Sequence, residues 1–190
     1  MLAFSKGYHW SIGATYKVKK IEADRPKRIK AWFTQDELTE RLSDQDILSW
    51  LLEEGSITKR ISSKAAFKLH ILFDSLGLAD EDEYTFLDLD ESPIRIREVS
   101  LYGDEEPLVF ARSVIPELTS RKGSPSLGNI GSSPLGDLLF QSDVFIQTDR
   151  WFAPFHNAQK KVVWGRLTRY EVEAYPLIVM EVFLLTDDEY

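Results

Sequence analysis

VVWGRLTRYEVEAYPLIVMEVFLL, residues 162–185, reads as two extended runs, 162–173 and 177–185, joined by a tight turn at AYP. A connection that short makes the two strands antiparallel neighbours. IRIREVSLYGDEEPLVFARSVI, residues 94–115, repeats the pattern with runs at 94–102 and 108–115 about the turn GDEEP. Phe67, Leu69 and Ile71, alternating with Lys68, His70 and Leu72, are expected to add a further strand.

Helical signals lie around these hairpins. Thr34 and Glu37 form a T-x-x-E capping box, and Ser43 stands where it can cap a second helix, whose Ile47, Leu48, Leu51 and Leu52 share one stripe before Gly55 ends it. In GNIGSSPLGDLLF, residues 128–140, Ser132 or Ser133 is the N-cap candidate and Pro134 a first helical residue. The acidic stretch ADEDEY, residues 79–84, lacks the spacing of a calcium loop and reads as a solvated loop. Strands and helices mix without βαβ alternation, so the expected class is α+β, an antiparallel sheet with helices packed on one face. Residues 1–33, basic in an acidic protein, read as an extension to a domain spanning 34–190. They suit a solvated arm or an added edge strand, or docking on an anionic surface.

Composition narrows the function. The net charge of -8 argues against a nucleic-acid partner, which needs a dominant basic surface. With no cysteine, thiolate catalysis, iron–sulfur clusters and Cys-type zinc sites are excluded, and nothing points to an oxidising compartment, so the cytoplasm is expected. No run approaches the ~20 apolar residues of a membrane span. His9, His70 and His156 show no metal-ligand spacing, and Gly128, Gly131 and Gly136 form no phosphate-binding pattern. Neither a metal nor another cofactor is expected, and a monomer is the default.

Glu181 is the most informative residue. It lies in PLIVMEVFLL, apolar at both strand parities, so it reads as a carboxylate inside a strand buried on both faces. Such a group needs a cation, a hydrogen-bond network or a ligand, which leaves a structural ion pair and a functional site both open. Arg97 shares a strand face with Val99 and Leu101, and Arg112 shares one with Phe110 and Val114. Two arginines and a glutamate among apolar strands suggest a pocket that clamps a carboxylate at one end and grips a hydroxyl at the other, hence a small, flat acid as ligand. The helix starting at Pro134 could add backbone donors, such as the N–H of Leu135.

SWLLEEGSITKR (49–60), REVSLYGDEEPLVFARSVIP (97–116), GSSPLGDLLF (131–140) and VVWGRLTRY with PLIVMEVFL together resemble the chorismate pyruvate-lyases of ubiquinone biosynthesis, over roughly residues 45–185. The resemblance implies a cofactor-free lyase converting chorismate to 4-hydroxybenzoate and pyruvate, the first committed step towards the ubiquinone head group. It places Arg97 and Leu135 at the ring carboxylate and Glu181 at the hydroxyl, with Ile57 contributing backbone from the S-x-T-K-R run. It gives Arg112 the pyruvyl carboxylate or the path to the site. Segments 43–60 and 117–142 would act as helical lids over a buried ligand site. The same fold resembles the effector domains of some transcription regulators, which makes a non-catalytic sensor of aromatic acids the alternative; residues 1–42 are too short for a complete helix-turn-helix domain.

Overall fold

A computed structural model describes residues 25–90, 92–141 and 143–185; all but residues 25–33 of the basic extension lie outside them. The two hairpins form the middle of the sheet. Strands β3 (Ile94–Gly103) and β4 (Glu106–Ile115) pair antiparallel, as do β6 (Val162–Val172) and β7 (Tyr175–Phe183). β4 also pairs with β7, which joins the hairpins. β2 (Phe67–Gly77) flanks β3, β5 (Ile146–His156) flanks β6, and β1 (Lys27–Arg28) adds an outer edge to β5. The seven-stranded order among the described residues is β1-β5-β6-β7-β4-β3-β2. The second hairpin turns on Glu173 and Ala174, both at positive φ (51° and 64°), one residue earlier than the expected AYP turn. That conformation is the one a two-residue hairpin turn demands even where neither residue is glycine.

Helix α1 (Gln35–Arg41) starts at the expected Thr34 and Glu37 capping box. Helix α2 (Gln45–Leu51) is capped by Asp44 rather than Ser43, because the Asp44 carboxylate accepts from the N–H groups of both Asp46 and Ile47. Chain direction changes at Gly55, and α3 (Ile57–Ser62) starts afresh from Ser56. Helix α5 (Leu135–Gln141) follows Pro134 as expected, after a π turn at Thr119–Gly123 and a 3-10 turn at Pro125–Asn129.

The expected acidic loop is a helix, α4 (Glu81–Leu87). Glu83 accepts from the Asp80 N–H at its N-terminus and is buried, because its carboxylate meets Arg112 from β4. Local sequence shows the acid but not its distant cation.

The antiparallel α+β architecture is as expected, with one addition. Helices α2, α3 and α5 cover one face of the sheet, where Leu51, Ile57 and Ile61 pack on Val99 and Leu101, and Leu135 and Leu139 pack with Tyr170 and Val179. Helix α4 covers the reverse face: Leu87 packs with Ile96, Val114, Leu167 and Ile178. Trp32 extends that cover over Phe155.

Candidate functional site

Strand parity sorts the embedded charges. Arg97 stands opposite Ser113 on β4, and Glu181 stands between Ala111 of β4 and Arg166 of β6. These residues face α3 and α5 and line one small cavity of about 40 Å³, together with Ile57, Leu135 and Tyr170. A cleft of about 680 Å³ opens elsewhere, between α2, α3 and the β3–β4 turn. Its charged groups sit at the rim, whereas those of the small cavity are embedded in the sheet.

Arg97, only 1 % exposed, is fixed on two sides. Its Nη2 donates to the carbonyls of Gly131 (3.1 Å) and Ser133 (3.0 Å), just before α5, and its Nε lies 3.3 Å from Asp74 Oδ2. Asp74 is held in turn by Arg95 at 2.7 and 3.0 Å. Burial lowers the Arg97 pKa, and Asp74 opposes that shift. Among the described residues Arg97 Nη1 has no hydrogen-bond partner, so one donor edge remains for a ligand.

Glu181 is held by Arg166, a residue of the VVWGRLTRY run on the neighbouring strand. Arg166 Nε donates to Glu181 Oε2 at 2.7 Å. Its Nη1 donates to the carbonyls of Leu51 (3.2 Å) and Glu53 (2.6 Å) at the end of α2. Gly165 lets these strands meet: a Cβ there would lie 2.8 Å from Phe155 Cε2 and 2.9 Å from the Glu181 carbonyl oxygen. Glu181 Oε1 and Arg166 Nη2 have no hydrogen-bond partners among the described residues. Beside them, burial foremost and then the Glu181 charge push the Tyr170 phenol pKa up, so the hydroxyl stays protonated. Arg166 stands opposite Glu181 once the turn falls at Glu173 and Ala174 instead of AYP, and that register is the signal that identifies it.

Ile57 and Leu135 begin α3 and α5. The two helix starts approach each other, since a Cβ on Gly136 would lie 3.7 Å from Ser56 Oγ. First-turn N–H groups have no intrahelical acceptor, so both starts bring donors to the cavity's edge.

Arg112 is not in this cavity. It pairs with Glu98 across the β3–β4 register, which puts it on the reverse face. There its Nε and Nη2 take both oxygens of Glu83 (2.7 and 2.9 Å), and its Nη1 takes Glu98 at 2.7 Å. Arg25 adds a second cation to Glu98, also at 2.7 Å. Burial alone would lower the Arg112 pKa, but the hydrogen bonds and charges of Glu83 and Glu98 outweigh it and raise the pKa above the ordinary arginine value. The expected grouping of Arg97, Arg112 and Glu181 is thus corrected in one member: the structure brings Arg97 and Glu181 together with Arg166.

The family model described as chorismate lyase matches residues 27–190. A probable chorismate pyruvate-lyase from Shewanella amazonensis is 33% identical over 171 residues, covering 80% of this chain and 86% of its own. A probable chorismate pyruvate-lyase 2 from Pseudomonas entomophila is 34% identical over 165 residues, covering 81% and 88%. The ligand-binding domain of a putative GntR-family transcriptional regulator from Bordetella bronchiseptica has a TM-score of 0.50 at 14% identity, covering 65% of this chain and 87% of that one, which is a likeness of fold.

Proposed function

The chain belongs to the chorismate lyase family, and from that premise we propose how its pocket converts chorismate to 4-hydroxybenzoate and pyruvate. The observation that carries the reading is that Arg97 and Glu181, each with a polar atom unpartnered among the described residues, face one small cavity on the same side of the sheet.

The reaction is redox-neutral. C4 of the ring loses its hydrogen as a proton, and that electron pair forms the last ring double bond. The C3–O bond breaks with its electrons leaving on the enolpyruvyl group, which is protonated at its methylene to give pyruvate. Aromatisation drives the step, so the protein's task is to orient and polarise. Arg97 receives the ring carboxylate on its free edge, a charge-assisted contact, supported by the N–H groups of Ile57 and Leu135. Glu181 accepts the ring hydroxyl on Oε1 and helps move the C4 proton, while Arg166 holds its other oxygen and so orients it. Arg112, with all three nitrogens spent on carboxylates, is given a structural part.

About 40 Å³ is little more than one water's ~30 Å³ share of liquid, against ~300 Å³ and upward for ligand pockets. Admission therefore requires α3 and α5 to part, which makes them the lids of the site. The same reading includes a cytoplasmic monomer at the entry to ubiquinone head-group synthesis, without nucleic-acid partners; no helix among the described residues is long and apolar enough to cross a membrane.

Adding chorismate to the purified protein, with 4-hydroxybenzoate and pyruvate followed together, tests the reading. Equimolar appearance of both is expected. Tight 4-hydroxybenzoate binding without turnover would replace the lyase with a sensor.

A further inference from the structure

Chorismate carries two carboxylates, and the second leaves on the enolpyruvyl group. With Arg112 on the reverse face, that carboxylate needs another cation. We infer that Arg166, together with Arg150 and the Tyr170 hydroxyl, forms the subsite that receives it; this rests on the lyase reading above.

The charge arrangement points there first. Arg166 lines the cavity and pairs with Glu181, and Arg150, just behind the lining, is a second guanidinium near enough to interact with the same carboxylate. Arg150 stands opposite Thr168 on the pocket side of β5, and it donates to Thr168 Oγ1 (3.3 Å), the Glu53 carbonyl (3.3 Å) and Gln147 Oε1 (2.7 Å), all neutral acceptors. The Glu53 carboxylate is already committed to the Gly55 N–H and to Arg60. The hydroxyl end of the cavity therefore holds one cation more than its carboxylates balance. Arg166, 1 % exposed, has Glu181 as its ion-pair partner, so the half-buried Arg150 is the cation left over, and an arriving anion would offset its desolvation.

Donor directions agree with the charge. Arg166 Nη2 has no protein acceptor among the described residues, in contrast to Arg112, whose nitrogens are all spent. Tyr170 lines the same cavity beside Arg166 and Glu181, with the Arg150 guanidinium close enough for its charge to act on the phenol. A phenol that stays protonated can donate to a carboxylate. Substrate chemistry supplies the last constraint: the ether carbon of chorismate is bonded to the carbon bearing the hydroxyl. Whatever holds the ether-linked carboxylate must lie beside Glu181, where Arg166 stands.

The test separates one carboxylate from two. Its probes are 4-hydroxybenzoate, with the ring carboxylate alone, and 3-(carboxymethoxy)benzoate, with a second, ether-linked carboxylate at the matching ring position. Their affinities are measured by calorimetry for wild type, Tyr170→Phe and Arg150→Gln, beside the KM for chorismate. Both variants are expected to lose about tenfold or more in affinity for the dianion, the size of one charge-assisted hydrogen bond, and to raise KM in parallel. Binding of 4-hydroxybenzoate should stay within about twofold. Equal weakening of both probes, or of neither, would overturn the subsite. If the wild type releases no pyruvate yet the variants still discriminate between the probes, the lyase reading fails and the two-carboxylate subsite stands.

Discussion

Both faces of the sheet bury arginines beside carboxylates, and they use them differently. On the reverse face, Arg112 spends Nε, Nη1 and Nη2 on Glu83 and Glu98. On the pocket face, Arg97 and Arg166 spend their bonds mostly on backbone carbonyls of the covering segments, at Gly131, Ser133, Leu51 and Glu53, and each keeps a nitrogen with no partner among the described residues. A closed set of ions braces the fold, and an open one is left to meet a ligand. The difference lies in unspent donors, since burial is nearly the same at 1 % exposure for Arg97 and 4 % for Arg112.

Arg112→Met should show the largest effect of any single change. It leaves Glu83 without its arginine inside the protein, and breaking such a buried pair costs about 3–5 kcal/mol. Urea unfolding should register that loss, while 4-hydroxybenzoate affinity of the folded protein stays unchanged. Loss of binding without loss of stability would erase the distinction between the faces. Arg97→Ala should do the reverse: Asp74 keeps Arg95 as partner, so no buried carboxylate is orphaned, and 4-hydroxybenzoate affinity should fall about 100-fold by calorimetry. Glu181→Gln, which keeps the side chain's shape, should lower kcat by about 100-fold with KM changed little. Wild-type turnover would remove Glu181 from the chemistry.

The smallest effect belongs to the α2–α3 corner. The Gly55 N–H foremost, opposed by burial and helped by Arg60, holds the Glu53 carboxyl below its ordinary value. A depressed folded-state pKa adds stability above the unfolded pKa of 4.5, and that stability disappears as pH falls through the lower folded value. Largely solvated, it is worth about a few tenths of a kcal/mol. Thermal midpoints of wild type and Glu53→Gln should therefore differ slightly at pH 7 and converge as the pH falls through the depressed folded-state value. A difference that persists in acid would mean that shape, not charge, holds this corner.

Sheet and site were unequally legible in the sequence. The hairpins carried their own turns and alternation, so the centre of the sheet and the place of Glu181 could be read directly. The β3–β4 register decides which arginine faces the pocket, and Arg112 was misplaced because strand alternation was followed along each strand and not across the pair. Helix α4 escaped because the cation that lets Glu83 be buried lies 29 residues away on another element. Arg166 was within reach: once the turn is set at Glu173 and Ala174, it stands opposite Glu181. Asp74 was out of reach, because an irregularity between Ile71 and Phe73 shifts the β2–β3 register that brings it to Arg97.

A crystal structure of the complex with 4-hydroxybenzoate tests the central claim most directly. The account predicts the ligand between the sheet and helices α3 and α5, its carboxylate on Arg97 and its hydroxyl on Glu181. A ligand on the reverse face with its carboxylate on Arg112, or one turned end for end with its carboxylate at Arg166, would contradict it.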